Sequence, residues 1–289
     1  MVEKKCFFCG KKSLRPFAFI NPKPQHLHSS QCRCSICGLV VGQPQLIEQE
    51  LKTYYKQHFY QQQWPDAQGT WDANINNYQR QEFPLIKRIC SGWLPSDGCR
   101  ALEIGCGYGS FLRILRNQGY DACGVDISPK AVAFCNSKGL SVVEASWQDI
   151  PFKSGIFDLV VSMYVIEHVD NPRLFIRECV RLLRSGGVVV LLTDDADDCQ
   201  YAWLRWMALI SGRDLPFCSS SDHTFVFRGS HIKSLLEEGG CQDVRINKFD
   251  FVPEQESFHW HIYKNLFRFL NRMTGRGGFI LSAGRRSDR

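Results

Sequence analysis

The run Ala101–Gly109 constrains the fold of this chain more than any other segment. It reads Ala-Leu-Glu-Ile-Gly-Cys-Gly-Tyr-Gly, so glycines at three alternate positions interrupt a short apolar stretch. Apolar residues at helical spacing follow at once, from Phe111 to Leu115. The pattern predicts a strand, a tight turn and a helix. Because glycine has no side chain, such a turn brings bare backbone against a ligand.

A second apolar strand, Ala122–Val125, is followed by Asp126, seventeen residues after Gly109. An acid at the tip of the second strand can accept hydrogen bonds from both hydroxyls of a ribose. Dinucleotide sites use the spacing G-x-G-x-x-G, whereas here Glu103 precedes glycines spaced as G-x-G-x-G. A carboxylate at that point favours an ammonium or hydroxyl group and opposes a pyrophosphate. The sequence predicts an adenosine compound across the two strand tips.

The glycine turn and four later segments resemble, in order, the motifs of class I S-adenosylmethionine-dependent methyltransferases. The later segments are Ser146–Phe152 (similar to D-A-E-D-L-P-F), Phe157–Ser162 (strand four), Val165–Val169 (similar to L-E-H-V) and Leu182–Gly187 (similar to L-K-P-G-G). The resemblance covers roughly two thirds of the chain, from about Trp93 onward. It implies an α/β fold with a Rossmann-like seven-stranded sheet and helices on both of its faces.

The resemblance also implies a set of residues that bind S-adenosylmethionine. They are Glu103, Gly105, Cys106, Gly107, Gly109, Asp126, Ile127, Ser146, Trp147 and Tyr164. Glu103 and the glycine turn would face the methionine part, Asp126 would hold the ribose, and Ile127 would pack on adenine. Ser146 replaces the aspartate of many relatives, and its hydroxyl would accept more weakly from the adenine amino group. Trp147 either covers the adenine or packs against the helix after strand two.

Two copies of C-x-x-C-G lie near the N-terminus, at Cys6–Gly10 and Cys34–Gly38. Two such pairs supply four thiolates for a tetrahedral zinc ion, and the glycine after each pair suits a tight knuckle. The predicted ligands are Cys6, Cys9, Cys34 and Cys37, with Cys32 as the alternative to Cys34. A site closed by four cysteines is structural, because no coordination position remains for a substrate.

The order of the modules carries a second resemblance. A cysteine module, a tyrosine-rich stretch and a methyltransferase domain in this order resemble sugar C-methyltransferases and related enzymes of glycan biosynthesis. The predicted organisation is a zinc-ribbon-like module at 1–42, a helical linker or cap at 43–92, and a methyltransferase domain at 93–289 with an insert at 194–228.

The same resemblance points to a catalytic pair in Asp222-His223-Thr224-Phe225. His223 would act as general base, and Asp222 would hold its tautomer. A hydroxyl acceptor loses its proton as the new bond forms, and imidazole titrates near neutral pH. A carbon acceptor would need the same base to form an enolate.

Two other polar groups follow strands four and five. Glu167 and His168 resemble part of a metal-binding run in ubiquinone-biosynthesis O-methyltransferases, but Tyr164 replaces its first acid. We therefore expect Glu167 and His168 to cap the next helix and pack under the cofactor. For Asp194–Asp198, with four acids in five residues, we expect a solvated turn and helix cap rather than a metal site.

Composition places the chain among soluble globular proteins, with 44% hydrophobic and 22% charged residues. No apolar run approaches the roughly 20 residues of a membrane span, and Met1–Cys6 lacks the pattern of a signal peptide. Fourteen cysteines without an export signal indicate a reducing compartment. The predicted location is cytoplasmic.

The net charge of +6 is concentrated in residues 261–289, which hold seven Lys or Arg and one acid. A basic tail suits nucleic acid or another anionic partner, although a solvated helix face explains it as well. The predicted function is methyl transfer from S-adenosylmethionine to oxygen or carbon of a small molecule, first a sugar or glycan precursor such as a nucleotide sugar. The alternatives are an RNA methyltransferase, an O-methyltransferase of quinone- or lipid-type substrates, and a scaffold without catalysis.

Overall fold

A computed structural model describes residues 5–19, 30–44, 48–59, 66–94, 98–199, 223–250 and 267–287 of the chain. The strands are β1 (Leu14–Phe19), β2 (Ser30–Cys34), β3 (Val40–Gln43), β4 (Arg100–Ile104), β5 (Asp121–Asp126), β6 (Val142–Glu144), β7 (Phe157–Met163), β8 (Leu183–Asp194), β9 (Phe225–Val226), β10 (Cys241–Phe249) and β11 (Phe279–Arg286).

The helices include one π-helical turn, Tyr55–Phe59. The α-helices are α1 (Glu48–Tyr54), α2 (Ala67–Arg80), α3 (Glu82–Ile89), α4 (Ser110–Asn117), α5 (Pro129–Ser137), α6 (Pro172–Leu182), α7 (Gly229–Glu238) and α8 (267–274). Within the described residues, none of these helices has the length and hydropathy needed to cross a bilayer.

The seven-stranded sheet has the strand order β10-β11-β8-β7-β4-β5-β6. Strands β6, β5, β4, β7 and β8 are parallel neighbours, with Ala101 of β4 opposite Ala122 of β5 and Leu159 of β7. Every residue of β7 is buried, as expected of a central strand covered on both faces. The predicted Rossmann-like α/β fold with seven strands is confirmed.

Local signals in the sequence set where the helices of this sheet begin. The side chain of Ser128 accepts a hydrogen bond from the amide of Ala131, and that of Asn171 accepts from the amide of Leu174. Proline is the first residue of both helices, where its missing N–H costs nothing. Helix α4 begins directly after Gly109, whose φ of 76° lies in the left-handed region that favours glycine.

A second sheet has the order β1-β2-β3-β9, and its neighbouring strands pair antiparallel. Its first three strands belong to the predicted zinc-ribbon-like module, of which residues 5–19 and 30–42 are described and which is called the zinc module below. Its fourth strand is Phe225–Val226. The chain divides into two compact units. The first comprises 1–46, 193–232 and 247–280, and the second comprises 47–192, 233–246 and 281–289. The cysteine pairs thus share a unit with the segment predicted as an insert at 194–228, which lies entirely within the range 193–232.

Candidate functional site

The glycine turn after β4 is built from left-handed backbone. Gly105, Gly107 and Gly109 have φ values of 71°, 54° and 76°. A Cβ atom on Gly105 would lie 2.4 Å from Cγ2 of Val165, so no larger residue fits without displacing that side chain. The amide of Gly105 donates to the carbonyl of Val125 over 2.8 Å, which closes the turn against β5. The left-handed backbone and the lack of room for a side chain at Gly105 are as expected for the predicted turn of bare backbone at this strand tip.

Asp126 ends β5 and holds the glycine turn. Its side chain is buried, with Oδ2 accepting from the amide of Gly107 over 2.8 Å and Oδ1 accepting from the amide of Ser128 over 2.9 Å. Asp126 thus lies at the tip of the second strand of the predicted nucleoside site, next to the glycine turn. Ile127, predicted to pack on adenine, is half-buried beside it.

Glu103 is buried below the same turn, with 3% of its surface exposed. Its Oε2 atom has no hydrogen-bond partner among the described residues. Burial raises the pKa of this carboxyl well above its usual value, and the thiol of Cys135 and the carboxylate of Asp126 raise it further. A buried acid with an unsatisfied oxygen fits a cationic ligand group, such as the ammonium of S-adenosylmethionine.

Cys106 occupies the second position of the turn and serves as a packing residue. It is buried, and its Sγ would lie 2.8 Å from a Cβ atom on Gly124 of β5. The thiol therefore fills the space that Gly124 leaves between the turn and the strand. The Cys106 side chain is therefore occupied in packing, and the prediction that its backbone faces the cofactor stays a prediction.

The residues after β6 run back across the sheet, because β6 is an edge strand and β7 lies on the far side of β4. On this path the hydroxyl of Ser146 donates to Oε1 of Gln148 over 2.7 Å. The Trp147 ring packs edge-on against Phe175 of α6, with centroids 5.7 Å apart. The alternative prediction, that Trp147 packs against the helix after the second predicted strand (α5, which follows β5), is therefore wrong. Its ring partner Phe175 belongs to α6, which follows β7.

Tyr164 follows β7 directly and has a φ of 57°. A bulky residue in this left-handed region is strained, and such strain concentrates at functional sites. Its amide donates to the carbonyl of Leu192 over 2.8 Å, which keeps the residue next to β8. Tyr164 is thus held at the carboxyl end of two central strands.

Sequence reasoning missed how the cap segment Glu48–Phe59 contacts the loops at these strand ends. Its contacts are Tyr55 Oη to His168 Nδ1 (2.7 Å), Lys52 Nζ to Asp149 Oδ2 (3.4 Å) and Lys56 Nζ to Glu144 Oε1 (3.1 Å). The only signal in the sequence is the tyrosine-rich stretch, from which no contact can be predicted. Capping of the next helix by Glu167 and His168 is wrong, because Asn171 caps α6.

The four predicted cysteines converge in the other unit. The sulfur atoms of Cys6, Cys9, Cys34 and Cys37 all lie within 4.8 Å of one another. The Cys6–Cys37 and Cys9–Cys34 sulfur distances are both 3.6 Å. A tetrahedral zinc ion with bonds of about 2.3 Å separates its sulfur ligands by about 3.8 Å, so the cluster fits zinc. Cys32 is outside it and pairs with Val41 across the sheet.

Hydrogen bonds make Cys34 a good metal ligand. Its Sγ lies 2.9 Å from Oγ of the buried Ser13 and 3.4 Å from the amide of Cys37. Burial raises the pKa of the Cys34 thiol, but these donors outweigh burial and lower the pKa to about 6. The favoured thiolate is the form that binds metal.

His231 joins the second cysteine knuckle to α7. Its Nδ1 accepts from the amide of Arg228 over 3.1 Å, so the ring proton is on Nε2, which lies 3.0 Å from the carbonyl oxygen of Cys37. Burial lowers the pKa of His231 to about 4, and the imidazole stays neutral near pH 7. His231 acts as a structural hydrogen-bond bridge.

His223 has a carboxylate partner that the sequence did not indicate. Its Nδ1 lies 3.2 Å from Oδ2 of Asp194, the last residue of β8. Both side chains are largely buried, with 11% and 14% exposed. Asp222, the predicted partner, lies outside the described residues. The Asp194 carboxylate is therefore a charged group directly beside Nδ1 of His223.

The acids after β8 are not a solvated turn, and that prediction is wrong. Asp195 is fully buried, 2.6 Å from Nζ of Lys248. Burial raises the pKa of Asp195 even though Lys248 opposes the shift. Asp198 is also buried and accepts from Nδ2 of Asn271 over 2.8 Å. Partners that are distant in the sequence converge here, so the acids are neutralised inside the unit.

Comparisons with known proteins agree with this architecture. The family model described as "Methyltransferase domain" matches residues 102–191, the stretch from the glycine turn to β8. The solved structure of a SAM-dependent methyltransferase from Thermotoga maritima superposes with a TM-score of 0.56 at 18% identity, covering 80% of this chain and 99% of that chain. At this identity the likeness shows the fold alone.

Two curated relatives are named ubiquinone biosynthesis O-methyltransferase. The chain is 29% identical to the Caulobacter enzyme over 145 residues, covering 45% of this chain and 58% of the relative, which is less than two thirds of the relative's length. It is 31% identical to the Bordetella avium enzyme over 163 residues, covering 54% of this chain and 67% of the relative. Together with the sheet order and the glycine turn, these matches show that the chain belongs to the class I S-adenosylmethionine-dependent methyltransferases.

Proposed function

We propose that the chain methylates a hydroxyl group, or an acidic carbon, of a small molecule, with His223 as general base. The pair of His223 and Asp194, 3.2 Å apart, carries this proposal. Methyl transfer to a neutral hydroxyl requires a group that removes its proton, and a histidine held by a carboxylate is suited to that role. Asp194 ends β8, and ligands of open parallel sheets bind beyond the carboxyl ends of the strands.

The cofactor-binding residues are proposed as follows. Glu103 accepts from the ammonium of the methionine part, and Asp126 accepts from the ribose hydroxyls. The backbone of Gly105, Cys106 and Gly107 lines the turn, and Gly109 lets α4 begin without a side chain at the bend. The unsatisfied oxygen of Glu103 and the positive φ angles of the glycines support this assignment.

The remaining predicted positions form the adenine side. Ile127 packs on the adenine ring, and Ser146 and Trp147 lie beside its edge. Tyr164 lies between the adenine side and the methyl acceptor, because it follows the central strand β7. The half-buried state of Ile127, Ser146, Trp147 and Tyr164 supports a role in which a bound ligand would cover them.

The chain's own residues then have two tasks in the reaction. When bound, S-adenosylmethionine supplies an electrophilic methyl group on a sulfonium. The imidazole of His223 accepts the proton of the acceptor hydroxyl as the oxygen–methyl bond forms and the sulfur–methyl bond breaks. Asp194 stabilises the resulting imidazolium, and S-adenosylhomocysteine and the methyl ether are the products. For a carbon acceptor, the proton removed is the one beside a carbonyl group.

We propose a sugar or glycan precursor, such as a nucleotide sugar, as the acceptor. The supporting observation is the cysteine module in front of the methyltransferase domain, which resembles sugar methyltransferases. A phenolic hydroxyl of a quinone-type precursor is the second candidate, and the names of the two curated O-methyltransferases favour it. An RNA acceptor is the third candidate, although two arginines of the basic segment have partners within the chain: Arg285 pairs with Asp243, and Arg286 donates to the carbonyl of Leu183.

A structural zinc ion bound by Cys6, Cys9, Cys34 and Cys37 completes the proposal. Four sulfurs fill a tetrahedral site, so this metal does not polarise the acceptor. Its contribution is to hold the zinc module folded.

The test is a methyl-transfer assay with isotope-labelled cofactor against nucleotide sugars, quinone precursors and total RNA. Wild type is compared with His223→Asn and Asp194→Asn, and with Asp243→Asn, an exposed acid on β10, as the control. We expect label on one small molecule, strongly reduced in the first two variants and retained in the control. Label on RNA would overturn the acceptor class, and full activity of His223→Asn would overturn the base.

A further inference from the structure

The zinc module and the segment that carries His223 share one β-sheet. Strand β9 pairs antiparallel with β3, and the paired residues are Val40 with Val226 and Val41 with Phe225. The pairing extends toward His223, because the amide of Gly42 donates to the carbonyl of Thr224 over 2.9 Å. The residue next to His223 is therefore fixed by a backbone hydrogen bond to the zinc module.

The first cysteine knuckle holds the same segment through two aromatic side chains. The Phe7 ring lies 5.3 Å from the Phe225 ring, and the Phe8 ring lies 4.5 Å from the imidazole of His231. Phe7 and Phe8 are the two residues between Cys6 and Cys9. Their positions therefore depend directly on where the two sulfurs are held.

The second knuckle holds the other end of the segment. Nε2 of His231 donates to the carbonyl of Cys37 over 3.0 Å. A Cβ atom on Gly38 would lie 2.5 Å from Cζ of Arg228, so the guanidinium packs directly on this glycine. The same guanidinium pairs with Asp197 over 3.0 Å. Both knuckles thus contact residues 223–231, one through rings and the other through hydrogen bonds.

The apolar core within the zinc module itself is small. Among its described residues, the buried apolar side chains are Cys6, Cys34, Leu39, Val40 and Val41. All four cluster cysteines are free thiols, so no disulfide substitutes for the metal. In small modules of this kind, the free energy of metal binding supplies the free energy of folding.

We propose that zinc binding by the four cysteines orders residues 223–231 and thereby positions the His223–Asp194 pair. This inference rests on the proposed function of His223. Phe7, Phe8 and His231 are then positioning residues, which act on the reaction through His223. Methyl transfer then depends on bound zinc. Cofactor binding does not, because the glycine turn and Asp126 lie in the other unit.

The first experiment removes zinc from the full chain with a chelator. Hydrogen exchange of amides 224–231 is measured together with the affinity for S-adenosylhomocysteine by titration calorimetry. We expect much faster exchange in 224–231, affinity for the nucleoside within about twofold of wild type, and recovery on adding zinc. Unchanged exchange in the metal-free chain would overturn the proposal.

The second experiment keeps the metal and breaks the contact. Phe7→Ala/Phe8→Ala retains all four cysteines, so bound zinc should stay at wild-type content. We expect faster exchange in 224–231 and methyl transfer lowered about tenfold or more, because the base is misplaced. Phe17→Ala is the matched control, since Phe17 lies on β1 and stacks with Arg33 of the zinc module. Slow exchange in the double variant, or unchanged transfer despite fast exchange, would contradict the proposal.

His223→Asn separates this inference from the proposed function. The variant should keep slow exchange in 224–231 and normal zinc content while losing transfer. Wild-type transfer in His223→Asn would disprove the role of His223 as base, and the exchange measurements alone would then decide whether zinc orders the segment.

Discussion

The hydroxyl of Tyr55 lies 2.7 Å from Nδ1 of His168, and the two rings meet at an angle of 65°. This contact joins the cap segment Glu48–Phe59 to the loop after β7. Two exposed ion pairs flank it, and such pairs contribute little in water. Of these three contacts of the described residues, the partly buried Tyr55–His168 hydrogen bond is expected to hold the cap most strongly.

Tyr55→Phe should loosen the cap without unfolding the chain. Loss of one partly buried hydrogen bond costs about 1 kcal/mol. We expect faster hydrogen exchange in residues 48–59 and faster dissociation of S-adenosylhomocysteine, measured by stopped flow. Lys56→Ala is the comparison, and it should have a smaller effect that disappears at high salt. Equal dissociation rates in wild type and Tyr55→Phe would show that the cap does not retain the nucleoside.

Asp126→Asn should weaken cofactor binding at least about tenfold, because a charged acceptor of the ribose hydroxyls is lost. The amide group would also turn a donor toward the amide of Gly107 or Ser128, which now donate to the carboxylate. Asp121→Asn is the control, since Asp121 begins the same strand and is largely exposed. Titration calorimetry measures both variants. Unchanged affinity in Asp126→Asn would remove the ribose assignment.

Gly105→Ala and Gly119→Ala separate backbone strain from steric exclusion. Both glycines have positive φ values, 71° and 86°, so each alanine costs about 1–2 kcal/mol of strain. Only at Gly105 would the new Cβ clash, 2.4 Å from Val165, whereas nothing lies within 4 Å at Gly119. We expect both to unfold at lower denaturant concentration and only Gly105→Ala to lose cofactor binding. Equal cofactor affinity in the two variants would contradict this.

Cys34→Ser should lose the bound zinc, whereas Cys32→Ser should retain it. The two cysteines are two residues apart on β2, but only Cys34 belongs to the four-sulfur cluster. Elemental analysis of the purified variants measures the metal directly. Loss of zinc in Cys32→Ser with retention in Cys34→Ser would show that Cys32, and not Cys34, is the zinc ligand.

Glu82→Gln should change how stability depends on pH. Glu82 is fully buried, and neither carboxyl oxygen has a hydrogen-bond partner in the described part of the chain. Burial raises the pKa of Glu82 from 4.5 to about 7. The folded state therefore holds the proton more tightly, and its stability falls as pH rises from about 4.5 to about 7.

The full ionisation penalty of Glu82, about 3 kcal/mol, is present above pH 7 and absent below pH 4. We expect Glu82→Gln to be more stable than wild type at pH 8 and to show a flatter profile between pH 5 and 7. Urea unfolding at several pH values measures this. Glu50→Gln, on the helix of the cap segment, is the control and should leave the profile unchanged. A wild-type profile in Glu82→Gln would show that the buried acid is not the titrating group.

The fold and the cofactor end of the site could be predicted because their signals are local. The glycine turn, Asp126 and the apolar strands can each be recognised from a few consecutive residues. In the structure these elements begin and end within a few positions of the expected bounds. The cysteine pairs are local signals as well, and they converge as expected.

Contacts between distant parts of the chain could not be predicted in the same way. Asp194 and His223 are 29 positions apart, and Asp195 is neutralised by Lys248, 53 positions further on. The acids of this run look solvated in the sequence because nothing near them has the opposite charge. Likewise, the partner of Trp147 follows from the path of the chain across β5 and β4, which only the strand order reveals.

The pairing of β3 with β9 also has a consequence for synthesis of the chain. Val40 leaves the ribosome 186 residues before Val226, its partner. At about 5–20 residues per second, the edge of β3 stays uncovered for roughly 10–40 s. During that interval all four cysteines are already available to capture zinc. The order of synthesis thus allows the metal site to form first and the strand before α7 to be added to a finished edge.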